Sequence, residues 1–210
     1  MCKPMQIDSL ALGIFQSNTY FLTQDGETLI IDPGDRGQKI LDFIREKELN
    51  PIGIVCTHAH LDHIISAPLI MKEYAIPCFL HEKEREVLKH LKTMCEQFHM
   101  PYHGEPKPVT WLDGRKPLKA GHFNLSYRHT PGHTPGGIIL VTDTGVFTGD
   151  TIFYRSVGRT DFPGGDHEAL MTSIRDQIFT LPGETILYPG HGPATSVNHE
   201  KQHNPFTAGL

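Results

Sequence analysis

Thr57-His58-Ala59-His60-Leu61-Asp62-His63 decides how this chain is read, because four of its seven residues can bind a metal. The stretch follows directly on the apolar run Ile52-Gly53-Ile54-Val55-Cys56, which has the length and bulk of a buried strand. Three more candidates sit downstream in tight Gly/Pro loops. They are His133 in Pro131-Gly132-His133-Thr134-Pro135-Gly136-Gly137, Asp150 in Phe147-Thr148-Gly149-Asp150, and His191 in Tyr188-Pro189-Gly190-His191-Gly192-Pro193. Each lies just past an expected strand, where a rigid sheet can aim a short loop at one point in space.

Working outward, residues 18–23, a turn at Asp25-Gly26 and residues 28–34 read as a hairpin. Apolar spacing predicts helices over 38–47 and 65–74, a short strand over 77–80 and a charged helix over 82–98. The Pro-rich passage 99–108 reads as a surface connection or a lid over a site. Strands are expected over 123–128, 138–142, 145–148 and 185–188, with a helix over 167–179 between the last two. Pro-Gly-His occurs at both 131–133 and 189–191, too short an echo to establish an internal repeat.

With 210 residues the chain is long enough for one substantial core, and residues 1–210 are read as a single domain. A formal net charge of -5 offers no field for a polyanion, so nucleic acid is a poor partner. The start Met1-Cys2-Lys3-Pro4-Met5-Gln6 has no apolar signal region, and no stretch approaches the ~18 apolar residues of a membrane helix. A cytoplasmic protein without membrane attachment is the expectation. Cys2, Cys56, Cys78 and Cys95 are dispersed without a CxxC pair, which argues against both a disulfide framework and a zinc ribbon; Cys56 and Cys78 read as small buried or half-buried thiols.

The spacing carries the chemistry. In an extended segment His58 and His60 face the same way and can share one cation, while Asp62 and His63 turn toward a second position. Imidazole and carboxylate without thiolate suit zinc, iron or manganese. Seven ligands are too many for one tetrahedral ion and right for two divalent ions, zinc being the first choice. The expected partition gives one ion His58, His60 and His133, gives the other Asp62, His63 and His191, and lets Asp150 bridge. His81, His90, His99, His103 and His199 lie outside the pattern and are read as surface residues.

Assembled in this order, the motifs resemble the metallo-β-lactamase superfamily over residues 18–203. The resemblance implies an α/β (α+β) fold, a four-layer αβ/βα sandwich with two mixed sheets and the dinuclear site at their edge. Ser156-Val157-Gly158-Arg159-Thr160-Asp161-Phe162, Pro189-Gly190-His191-Gly192-Pro193 and His203-Asn204-Pro205-Phe206 look most like small bacterial glyoxalase II-type hydrolases. Asp150 stands where zinc β-lactamases commonly carry cysteine, and His60 where flavodiiron members carry glutamate.

The resemblance then implies hydrolysis of a small-molecule thioester such as S-lactoylglutathione by metal-bound hydroxide. Asp62 would orient the nucleophile as well as bind metal, and the amides of Gly136 and Gly137 would assist the oxyanion. The C-terminal helical extension of full-length glyoxalase II has no counterpart here, so glutathione must be gripped elsewhere. Arg159, with Tyr154 and Arg155 as lesser candidates, is assigned to substrate carboxylates. Persulfide dioxygenases are the rival: they share the fold, and a single iron would use His58, His133 and Asp150. A non-catalytic metal binder is the second rival. Acyl group, metal identity and oligomeric state stay open.

Overall fold

The computed structural model describes residues 5–210; Cys2 and the rest of residues 1–4 lie outside the described part. The chain opens with strands β1 (Gln6–Leu12), β2 (Ser17–Gln24) and β3 (Glu27–Ile31), an antiparallel meander. Helix α1 (Gly37–Glu46) leads to β4 (Pro51–Val55), helices α2 (Leu61–Ile64) and α3 (Ala67–Tyr74) to β5 (Cys78–His81), and α4 (Arg85–Lys89) and α5 (Leu91–Gln97) to β6 (Val109–Leu112). Strands β3 to β6 run parallel, so residues 6–112 form one mixed sheet in the order β1-β2-β3-β4-β5-β6.

The second sheet has the order β14-β13-β10-β9-β8-β7. It is built from β7 (Leu118–Ala120), β8 (Phe123–His129), β9 (Ile138–Thr142), β10 (Gly145–Gly149), β13 (Ile186–Pro189) and β14 (Thr195–Ser196), with β10 and β13 parallel and the other pairs antiparallel. A two-stranded ribbon, β11 (Ile152–Phe153) and β12 (Ser156–Val157), follows β10. Helices α6 (His167–Ser173) and α7 (Val197–His203) complete the chain.

Period-two alternation sorts side chains into layers. In β2 to β5, Phe21, Ile30, Ile54, Cys78 and Leu80 point toward Ile40, Ile44 and Ile70 of α1 and α3. Their neighbours Tyr20, Leu22, Leu29, Ile31, Val55 and Phe79 point the other way, onto Leu125, Ile138, Leu140 and Phe147 of the second sheet. The far face of that sheet, Ile139, Val146 and Leu187, packs on Leu170, Ile174 and Val197. Helix, sheet, sheet, helix is the four-layer sandwich anticipated above. Burial on both faces explains why β4 reads as an unbroken apolar run. Between the sheets Tyr20 lies edge-on to Phe147 at 5.1 Å and Phe147 stacks on Tyr188 at 5.0 Å, pairs that each add about 0.5–1.5 kcal/mol beyond area burial.

Strands β1, β6, β7, β11, β12 and β14 and helix α7 were not anticipated. The run expected as one helix over 82–98 is a 3-10 turn (Glu82–Glu84) followed by α4 and α5, broken where the His90 amide bonds the Val87 carbonyl. The helix expected over 65–74 is α3, which starts two residues later because Ser66 ties back to the Pro33-Gly34 turn through its amide and hydroxyl, and α2 before it was not anticipated. Past α6 the helix widens into a π turn (Ile174–Ile178), whose Gln177 carbonyl accepts from Arg128. Glu105–Pro108 packs between α3 and α4, lining cavities of about 570 and 300 Å³ on its two sides. Among the described residues no helix is long and apolar enough to cross a membrane. Cys56, Cys78 and Cys95 are buried free thiols.

Candidate metal centre

Four strand ends converge. His58, His60, Asp62 and His63 follow β4; His133 follows β8; Asp150 follows β10; His191 follows β13. Backbone bonds hold the loops together: Ile138 N–H to the Thr57 carbonyl at 3.0 Å, Gly190 N–H to Gly149 at 2.8 Å, and Asn18 N–H to Gly190 at 2.7 Å. Glycine at 190 permits the approach, since a Cβ there would lie 2.2 Å from Asp150 Oδ1.

The ligand atoms of His58, His60 and His133 lie within 4.8 Å of one another, and so do those of Asp62, His63 and His191. In the first trio His60 Nδ1 faces His133 Nε2 at 2.8 Å. In the second, His191 Nε2 is 3.3 Å from both His63 Nε2 and Asp62 Oδ2. Asp150 stands between them: its Oδ2 is 3.4 Å from His133 Nε2 and 3.5 Å from His191 Nε2, and its Oδ1 is 3.3 Å from His63 Nε2. All seven expected ligands are therefore brought together, in the partition read from their spacing.

Neighbouring groups fix the imidazole tautomers. His133 Nδ1–H donates to the Arg159 carbonyl at 2.7 Å and His191 Nδ1–H to the Phe15 carbonyl at 3.0 Å. His63 Nδ1–H donates to Asp32 at 3.0 Å. Thr57 gives its hydroxyl proton to Asp32 at 2.6 Å, so its oxygen accepts from His58 Nδ1–H at 3.1 Å. Nε2 of each of these histidines is thereby the atom that faces the centre, able to offer a lone pair where a cation displaces its proton. His58 Nε2 and Asp150 Oδ1 are fully buried without a hydrogen-bond partner, a costly arrangement that a cation satisfies. Orphaned atoms and an oxygen and nitrogen donor set together fit two divalent ions.

Burial keeps His58 well below the usual imidazole range and takes His60 down to about 3. Burial also opposes charge on His63 and His191, yet the carboxylates outweigh it: Asp150 and Asp62 raise His63 to about 9, and their hydrogen bonds raise His191 to about 11. Against the burial penalty, His63 and His191 hold Asp62 and Asp150 below the ordinary carboxylate range.

Comparison with known proteins adds an independent observation: a model of the metallo-beta-lactamase superfamily matches residues 12–191. The chain belongs to that superfamily of metal-dependent hydrolases. It is 39% identical over 204 residues to a probable metallo-hydrolase, YqgX, of Bacillus subtilis, covering 96% of this chain and 97% of the relative. It is 34% identical over 207 residues to the hydroxyacylglutathione hydrolase GloC of Haemophilus influenzae, covering 96% and 98%. Among solved structures, the BLEG-1 B3 metallo-beta-lactamase superposes with a TM-score of 0.90 at 37% identity, over 97% of this chain and all of that one. A protein crystallised in a di-iron-bound form gives 0.88 at 33%, over 95% and 99%. ETHE1 from Myxococcus xanthus gives 0.81 at 27%, over 98% and 85%.

Around this centre the expected substrate residues fare unevenly. The Arg159 guanidinium is 60% exposed, stacks over Phe162 at 4.1 Å and is held by Asp161 at 2.6 and 2.7 Å; Phe162 in turn lies edge-on to His60. Tyr154 stacks on His199 of α7 at 4.9 Å, next to Phe153, which lies edge-on to His191. The Gly136 amide expected to assist an oxyanion is instead spent on Glu84 at 2.7 Å. His81, expected on the surface, is buried and stacked on His129 at 4.5 Å.

Sequence reasoning missed two carboxylates. Asp32, at the end of β3 in a left-handed conformation, accepts from Thr57 N–H, the Thr57 hydroxyl and His63; its signal was an acid closing an apolar strand before Pro33-Gly34. Glu84 accepts from Ala59 N–H at 2.8 Å as well as from Gly136. It sits in the run Glu82-Lys83-Glu84-Arg85-Glu86, where nothing local distinguishes it from a solvated helix face.

Proposed function

We propose that this chain hydrolyses a thioester of a small thiol, of the S-lactoylglutathione type, using two divalent ions held by the two trios and Asp150. One observation carries the reading: both trios are intact and open onto the same buried carboxylate. A single-iron dioxygenase site needs only His58, His133 and Asp150 and leaves Asp62, His63 and His191 without a use. Zinc is the first choice of metal, with iron or manganese as alternatives, and the similarity to a di-iron protein keeps iron in view.

When bound, such ions supply Lewis acidity and lower the pKa of water toward ~7. The chain's own groups do the rest. Asp62 is ionised and placed beside His191, where it can orient a nucleophile through a hydrogen bond. A thioester asks for no proton donor at its leaving group. A thiolate, from a thiol of pKa ~8.5, leaves without that help, whereas an amine does not. This favours a thioester over a lactam, and the similarity to a hydroxyacylglutathione hydrolase supports the same choice. Arg159 would exchange Asp161 for a substrate carboxylate, with Tyr154 beside it.

Metal analysis of the purified protein should be paired with a panel of S-lactoylglutathione, a simple thioester, a lactam, a phosphodiester and glutathione persulfide under oxygen. Two equivalents of metal with thioester cleavage are expected. Lactam cleavage, or oxygen uptake with persulfide, in the absence of thioester cleavage would overturn the proposal.

A further inference from the structure

Glu84 is fully buried, and its two oxygens go to two different loops: Oε2 to the amide of Ala59, between His58 and His60, and Oε1 to the amide of Gly136, three residues past His133. Burial pushes its carboxyl upward in pKa, and the Thr134 hydroxyl and then the two amides work against that push. Keeping a carboxylate in such a place is expensive unless each oxygen is used. The contact is built for closeness as well, since a Cβ at Gly136 would come within 2.8 Å of Glu84 Oε1 and of the Glu84 amide nitrogen. The turn carrying Glu84 is anchored beside the same loop: His81 stacks on His129, whose Nε2–H donates to the Pro135 carbonyl at 2.9 Å.

The ligands nearest these two bonds are His58, His60 and His133 of the first trio, while Asp62 and His63 lie further along the loop after β4. The second trio is secured by other means: Asp32 on His63, the Phe15 carbonyl on His191, and Asn18 Nδ2 on the Pro189 and Gly192 carbonyls. We infer that Glu84 is a positioning residue that sets the His58/His60 loop against the His133 loop and so fixes one of the two metal positions and not the other. Glutamine at 84 would keep one acceptor but turn an NH₂ group toward the second amide, leaving two donors face to face.

The inference rests on the two-metal reading, and its test is chosen to fail separately. Zinc affinity is measured by chelator competition for Glu84→Gln in two backgrounds, His191→Ala, which retains the first trio, and His133→Ala, which retains the second. In the His191→Ala background Glu84→Gln should weaken zinc by about tenfold or more; in the His133→Ala background the affinity should stay unchanged. Equal weakening in both backgrounds would make Glu84 a general scaffold residue, and no weakening in either would remove its role. Glu84→Asp, anionic but one methylene shorter, covers the case in which the glutamine variant does not fold. It reaches one amide and not both, so a smaller loss confined to the His191→Ala background is expected, and background-independent behaviour refutes the inference. Failure of the wild-type protein to bind two equivalents of zinc, iron or manganese would instead refute the two-metal reading itself.

Discussion

Gly190→Ala tests how tightly the centre is built. The glycine does not occupy the left-handed region, so alanine meets no backbone strain and the effect is steric alone. A Cβ would lie 2.2 Å from Asp150 Oδ1 and 2.7 Å from His63 Cε1. Against ordinary non-bonded separations of about 3.5 Å, the carboxylate must retreat by roughly 1 Å. The backbone cannot yield easily, because Gly190 is bonded through its amide to Gly149 and through its carbonyl to Asn18. Overpacking of this kind costs about 1–3 kcal/mol, and for a chain of this size Tm falls by roughly 2–4 °C per kcal/mol. Function should suffer more than stability: a ~1 Å misplacement of a reacting group costs about 10²-fold in rate. Thioester turnover, zinc content and thermal melting of the same preparation separate the two effects. A variant with two equivalents of zinc and wild-type turnover would refute the placement of Asp150 between the trios.

Asp150→Ala should lose metal and activity together, because its oxygens face histidines of both trios; full metal occupancy would show that it bridges nothing. Arg159→Ala should raise KM for glutathione thioesters and spare simple ones, by releasing a guanidinium that only Asp161 now holds; unchanged kinetics would end its substrate role. Chelator-treated protein should be most stable near about pH 6.5. His63 and His191, raised to about 9 and 11, contribute stability that is complete below the unfolded imidazole value and is lost as pH rises through 9. His58 and His60, lowered by burial, make stability fall as pH drops below that value. Melting curves across pH 5–10 check this, and a flat profile from about 6.5 to 9 would contradict it.

The metal ligands were legible because their chemistry is local. Four share seven residues and the others sit in Pro/Gly loops after strands, so residue type and strand position suffice. Asp32 and Glu84 were not, because what defines them is distance in the chain: Asp32 acts on residues 25 and 31 positions away, and Glu84 joins loops 25 and 52 positions away. The central strands were legible from burial on both faces. Strand β1 was not, since most of its residues are exposed or half-buried at the sheet edge and show no clear apolar rhythm. The long charged run after β5 carries a helical pattern throughout, yet it starts as a tighter turn, capped by His81, that places Glu84 in the interior.

One sheet is drawn wholly from residues 6–112 and the other from 118–196. His58, His60, Asp62 and His63 come from the first and His133, Asp150 and His191 from the second, so each trio spans the divide. A cation in either position would bond to both at once and weld them. Two fragments separated between 112 and 118 would each lack a full ligand set, and capture of metal would then report their reassembly into a whole.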